Sequence, residues 1–161
     1  MWITLVAMTV SSAMILVDQT SVPLAIPDAM SDLGGKTSAS QWILTANMLP
    51  LAAFMVLGGR LGDIFGLRKI FIIGAVVFST ASAFAGFAQD IPWIITARAI
   101  QGAGAALMMP TAVAIVSATF PREEKGKALG LLAGFAAFAA ALGPVIGGGL
   151  TTIDWRLVFL V

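Results

Sequence analysis

Two ionisable side chains, Asp18 and Arg98, fall inside long apolar runs of this chain. Near the centre of a bilayer such a group costs at least about 2.5–3.5 kcal/mol, so it faces a water-filled path or an opposite charge. Two readings of Asp18 stay open. It either sits near the outer end of a long first helix and is hydrated, or it lines a cavity as a carboxylate able to gain and lose a proton. Arg98 cannot deprotonate at ordinary pH. It is therefore either a clamp on the backbone carbonyls of neighbouring helices or the residue that tunes a partner carboxylate. Gln101 lies one helical turn beyond Arg98 on the same face and is its polar neighbour. Little other chemistry is available. The chain has no His and no Cys, so the commonest metal ligand, the usual acid–base group and all thiol chemistry are missing. No nucleophile–base pair, metal cluster or strand-flanked phosphate loop is visible, so neither an enzyme nor a cofactor is expected.

The elements that must position these residues are membrane helices. The 161 residues are 59% hydrophobic and 11% charged, against about 45–50% and about 25% in soluble domains. The mean hydropathy is +0.99. The net charge of +1 gives no basic surface for nucleic acid. A membrane helix needs roughly 20 apolar residues, and the sequence holds five complete spans: 2–26, 41–59, 70–88, 92–120 and 128–150. A sixth is expected to start at Trp155 and to run on past Val161. The whole chain, 1–161, therefore reads as the N-terminal helical bundle of a longer membrane protein, with the C-terminal helices as its missing partner. Whether such a fragment transports by itself is a separate question, and a truncated, non-transporting membrane piece is one of the readings kept open.

Charge sets the expected topology. The expected loops Gly58–Lys69 and Pro121–Lys127 contain Arg60, Arg68, Lys69, Arg122, Lys125 and Lys127, six of nine basic residues. The other side carries Lys36 and Arg156. The positive-inside rule puts the two basic segments and the N-terminus in the cytoplasm, with Asp28, Asp32, Asp90 and Asp154 outside. Small residues mark two helices. The fourth carries Arg98-Ala-Ile-Gln101-Gly102-Ala-Gly104, and the fifth carries Gly143-Pro144-Val-Ile-Gly147-Gly148. Small residues at this spacing let helices approach closely in lipid, and Pro144 invites a kink.

Together these motifs resemble the major facilitator superfamily. Gly59-Arg60-Leu-Gly62-Asp63-Ile-Phe-Gly66-Leu-Arg68-Lys69 is similar to that family's cytoplasmic signature between helices two and three, with Ile64 where the family has a basic residue. The resemblance implies a gate formed by Gly59, Arg60, Asp63, Gly66, Arg68 and Lys69. The Arg98, Gly102, Gly104 spacing resembles the helix-four signature, in which the arginine is implicated in proton coupling. The Gly143–Gly148 stretch resembles the helix-five signature of antiporters, which implies a hinge at Gly143, Pro144, Gly147 and Gly148. Asp18, Thr20, Val22, Ala25 and Pro27 match the first-helix pattern of the fourteen-helix drug:proton antiporters. Val17 and Pro23 depart from it, and Pro23 is expected to bend or end the helix and to remove a polar group from the cavity. Trp155, Arg156 and Phe159 resemble the start of helix six.

The resemblance implies a proton-coupled antiporter that exports drugs or amphiphilic compounds by alternating access. Protons and a small-molecule substrate would be its partners within the lipid bilayer of the plasma membrane, and the proton gradient its energy source. Asp18, Arg98 and Gln101 would carry the proton coupling. Met14, Met48, Met108 and Met109 either adapt the cavity to lipophilic compounds or simply pack. The alternative within transport is an exporter of a defined metabolite such as a sugar, amino acid or peptide.

Overall fold

The computed structural model describes residues 1–35 and 37–160, with the backbone alone for Thr37 and Ser38. Lys36, counted above on the outer side, and Val161 at the end of the apolar tail lie outside the described residues. The fold is helical: α1 (Trp2–Asp32), α2 (Thr37–Phe65), α3 (Leu67–Gly86), α4 (Ile91–Thr119) and α5 (Arg122–Thr151) are followed by a short 3₁₀ segment, Trp155–Phe159. All five α-helices are long and apolar enough to cross a membrane. In lipid a helix is the one open-ended structure that satisfies its own backbone, and these runs of Leu, Ile, Val, Ala and Phe bring few polar side chains into it.

The helices are longer than the apolar runs. Pro23 does not end α1, which continues through Pro23 and Pro27 to Asp32. A proline removes one backbone hydrogen bond, whereas unwinding the last turns in lipid would strand several backbone groups. The segment Gly58–Lys69 is not a loop. α2 runs to Phe65 and α3 begins at Leu67, leaving Gly66 between them with φ of +100°. Only glycine takes that conformation without strain. Likewise α5 begins at Arg122 rather than near residue 128, with Glu123 and Glu124 in its first turn, where negative charge suits the helix dipole. α4 starts on an Asp90 cap, whose carboxylate accepts from the Trp93 backbone N–H at 2.8 Å. The residues expected to open a sixth span form a 3₁₀ segment, capped by Asp154, which accepts from Arg156 N–H at 2.9 Å. Such turns are common at helix starts.

α1 packs along α5, while α2 and α3 flank α4; α1 and α4 meet in the middle. Trp2 at the start of α1 lies edge-on to Phe120 at the end of α4, ring centroids 5.6 Å apart. The N-terminus thus shares one end of the bundle with the basic α4–α5 turn. At the opposite end, Arg156 pairs with Asp32 at 2.9 Å, and the Trp155 indole N–H donates to the same carboxylate at 3.1 Å.

The interior has three layers. One apolar cluster includes Leu5, Met8, Ile15, Phe78, Met108 and Leu132. A second includes Val22, Ile43, Ala85, Ile94, Trp155 and Phe159. Between them, in chain order along every helix that contributes, lie the buried polar residues Asp18, Ser82, Arg98 and Gln101.

Candidate functional site: a buried carboxylate–guanidinium layer

Asp18 sits at the middle of α1, far from either end, and is 8% exposed. The hydrated-end reading of this residue is therefore not what the fold provides. Arg98 (2% exposed) reaches it from α4, and Arg98 Nη1 donates to Asp18 Oδ2 at 2.6 Å. The same nitrogen donates to Gln101 Oε1 at 2.7 Å. Gln101 Nε2 in turn donates to Asp18 Oδ1 at 2.9 Å. The three side chains close a ring, and each carboxylate oxygen has a donor. Among the described residues Arg98 donates to no neighbouring carbonyl; it is held by side chains.

The ring also fixes the orientation of the Gln101 amide. Reversing it would set the amide oxygen against the carboxylate and the NH₂ group against the guanidinium, so one orientation alone satisfies both neighbours. Burial makes the pair an obligation: removing one partner from a buried ion pair costs about 3–5 kcal/mol, mostly the penalty of the charge left behind. Among the described residues one buried side-chain polar atom, Arg98 Nε, has no partner.

Two further side chains join this layer. Ser82 on α3 accepts from Gln101 Nε2 at 3.1 Å and donates to the Phe159 carbonyl at 2.7 Å. Asn47 on α2 donates from Nδ2 to the Arg98 carbonyl at 3.3 Å. Neither was a candidate from sequence. Serine and threonine are ordinary in membrane helices, where most bond back to their own helix, as Thr80 does to the Val76 carbonyl at 2.7 Å. Residue type carried no signal that Ser82 bonds across helices instead.

Gly102, Gly143 and Gly147 of the two helical signatures lie where helices touch. A Cβ on Gly102 would collide with the Asn47 carbonyl of α2. On α5, a Cβ on Gly143 would collide with Thr20, and one on Gly147 would come within 2.8 Å of Ser21 Cα, while Gly148 faces open space. Ser21 also donates to the Gly143 carbonyl at 2.7 Å. Pro144 is exposed within an uninterrupted α5. α1 therefore offers Asp18 to α4 while Thr20 and Ser21 meet α5.

The third signature stands apart. Arg60, Asp63, Arg68 and Lys69 are exposed and Gly59 is half-buried. Among the described residues none of these charges makes an ion pair within 4.0 Å. Arg68 and Lys69 do border a groove of about 540 Å³ shared with Ile115, Ala118 and Thr119 at the end of α4. Of the four methionines named above, Met108 is in the core with Met14 and Met109 against it, which is packing, while Met48 is 54% exposed. Pro23 is exposed on α1.

The family model described as Major Facilitator Superfamily matches residues 8–161. The chain is 36% identical to a protein named probable actinorhodin transporter of Streptomyces coelicolor, over 99% of this chain and 28% of that protein. It is 38% identical to the puromycin resistance protein pur8 of Streptomyces alboniger, over 96% of this chain and 31% of that one. It is 35% identical to the tetracenomycin C resistance and export protein of Streptomyces glaucescens, over 99% and 30%. The chain thus spans about a third or less of the length of these curated relatives. With five membrane-length helices, and a family match over almost all of its length, the chain is the helical bundle of a multi-pass membrane protein and belongs to the Major Facilitator Superfamily.

Proposed function

We propose that the protein to which this bundle belongs is a proton-coupled antiporter that exports drugs or other amphiphilic compounds by alternating access. The observation that carries this reading is the closed Asp18–Arg98–Gln101 ring, buried between two apolar layers. A proton on Asp18 and the bond from Arg98 compete for the same carboxylate oxygens. Proton uptake is therefore tied to parting of the pair, and parting the pair is a movement of α1 relative to α4. Such a two-state contact lets a proton gradient bias one arrangement over the other. Arg98 tunes the step without losing its own charge, and Gln101 holds the pair in register. The names of three relatives, a probable actinorhodin transporter and two resistance proteins, favour amphiphilic small molecules as substrates.

In this reading Gly59, Arg60, Asp63, Gly66, Arg68 and Lys69 form the cytoplasmic gate. Gly143, Pro144, Gly147 and Gly148 form the surface on which α5 slides or bends against α1. The basic turns and the N-terminus face the cytoplasm of a plasma membrane, and no cofactor beyond the proton gradient is required. The test is substrate-driven proton movement in proteoliposomes of the full-length protein, with ethidium as the first substrate. Ethidium-dependent proton flux is expected, and Asp18→Asn is expected to abolish it. Flux that survives in Asp18→Asn removes Asp18 from the coupling path.

A further inference from the structure

We propose that Ser82 is a positioning residue for the Asp18–Arg98 pair, acting through the amide of Gln101; this rests on the reading that the pair carries the proton step. Ser82 is 9% exposed, and its hydroxyl is committed in both directions. Its proton goes to the Phe159 carbonyl at 2.7 Å, which turns a lone pair toward Gln101 Nε2 at 3.1 Å. The second amide proton of Gln101 goes to Asp18 Oδ1 at 2.9 Å. Ser82 thus holds the NH₂ side of the amide on the carboxylate.

That hold matters in one stage of the cycle. While Asp18 is charged and paired, the ring alone dictates the amide orientation. Once Asp18 takes a proton and leaves Arg98, a neutral carboxyl group can donate to the amide oxygen as readily as it accepts from the amide nitrogen. Arg98 still donates to Gln101 Oε1 at 2.7 Å, but the contact with Asp18 no longer selects one orientation of the amide. With Ser82 present, the turned amide would set its oxygen against a hydroxyl whose proton is already in use, leaving two acceptors face to face. Ser82, holding the NH₂ side as Arg98 holds the oxygen, therefore returns the ring to a single arrangement after each turnover. The same hydroxyl ties α3 to the Trp155–Phe159 segment, so movement of that segment reaches Gln101 through one atom.

A merely structural serine would hold α3 to the segment and nothing more. The two roles separate in a double-mutant cycle with Gln101 on the full-length protein in proteoliposomes, read as ethidium-driven proton flux. Ser82→Ala is expected to lower the flux at saturating ethidium about five- to tenfold, the size of one buried hydrogen bond. The KM for ethidium should stay unchanged, and Ser82→Thr, which keeps the hydroxyl, should restore most of the flux. In a Gln101→Ala background, Ser82→Ala is expected to do nothing further. An equal loss in both backgrounds, or no loss in either, overturns the proposal. If Ser82→Ala does not fold, the near-isosteric Ser82→Cys, a weak donor and weak acceptor, takes its place with the same expectations. Asp18→Asn run alongside distinguishes the failures. Flux surviving in Asp18→Asn removes the coupling reading and this proposal with it, whereas flux lost in Asp18→Asn but intact in Ser82→Ala removes this proposal alone.

Discussion

At mid-bundle, Asp18 and Arg98 lie 2.6 Å apart with their neighbours matched atom to atom. At the turn between α2 and α3, Asp63 is surrounded in sequence by Arg60, Arg68 and Lys69, yet among the described residues it pairs with none of them. Both regions hold opposite charges within reach of each other. The difference is solvent. In the polar layer no water replaces a lost partner, so each charge is tied to the other. At the exposed turn, water solvates each charge separately, and an ion pair would gain at most about 1 kcal/mol. Order at the turn comes from the backbone instead, through Gly66 at φ +100°. One region is specified by side chains and the other by main chain, and substitutions should divide along that line.

The largest effect is expected in the layer. Arg98→Met keeps much of the side-chain volume but leaves Asp18 as an unpartnered buried charge. It should destabilise the protein by about 3–5 kcal/mol, seen as a melting temperature in detergent lowered by several degrees. The double variant Asp18→Asn/Arg98→Met removes both charges and should recover most of that loss, because no lone charge remains. If the double variant melts as low as the single one, the layer is held by packing rather than by the pair, and the contrast with the turn collapses.

This division also explains what could be read in advance. Asp18, Arg98 and Gln101 stood out because a charge in an apolar run is costly and must be answered, and the five helices because lipid leaves a chain few other options. Ser82 and Asn47 did not stand out, since a lone hydroxyl or amide in a helix can bond to its own backbone and only the three-dimensional partner distinguishes the case. Pro23 suggested a bend or an end, and α1 does not end there, because propensity learned in water omits the cost of stranding backbone groups in lipid. The Gly58–Lys69 stretch suggested a loop because its charges and glycines resemble one. All but Gly66 are helical, so these charges and glycines sit on helices that they do not break.

A smaller effect should come from the backbone of the turn. A Cβ on Gly66 meets nothing within 4 Å, so Gly66→Ala introduces no clash. It does force an alanine to a positive φ with ψ of 127°, outside the left-handed helical well, at about 1–3 kcal/mol. The expected result is a modest drop in melting temperature that no change of salt reverses. An unchanged melting temperature would mean that the chain reorganises around the turn, so that the connection is not set by this one dihedral angle.

The smallest effect is expected from the charges of the same turn. Asp63→Asn keeps the side chain's shape and removes a charge that is solvated and unpaired. Its effect on stability should stay within about 0.5 kcal/mol, as for surface sites in general. It should also change little with ionic strength, because an exposed charge without a close partner has little Coulomb energy to screen. Ethidium-driven proton flux is the sharper measurement on this variant. If Asp63 serves a gate, it acts in an arrangement of the helices other than this one, and Asp63→Asn should slow flux while leaving the melting temperature alone. Destabilisation by more than about 1 kcal/mol would show the opposite. Asp63 would then be paired and partly desolvated in the full-length protein, and the turn would obey the same rule as the layer around Asp18.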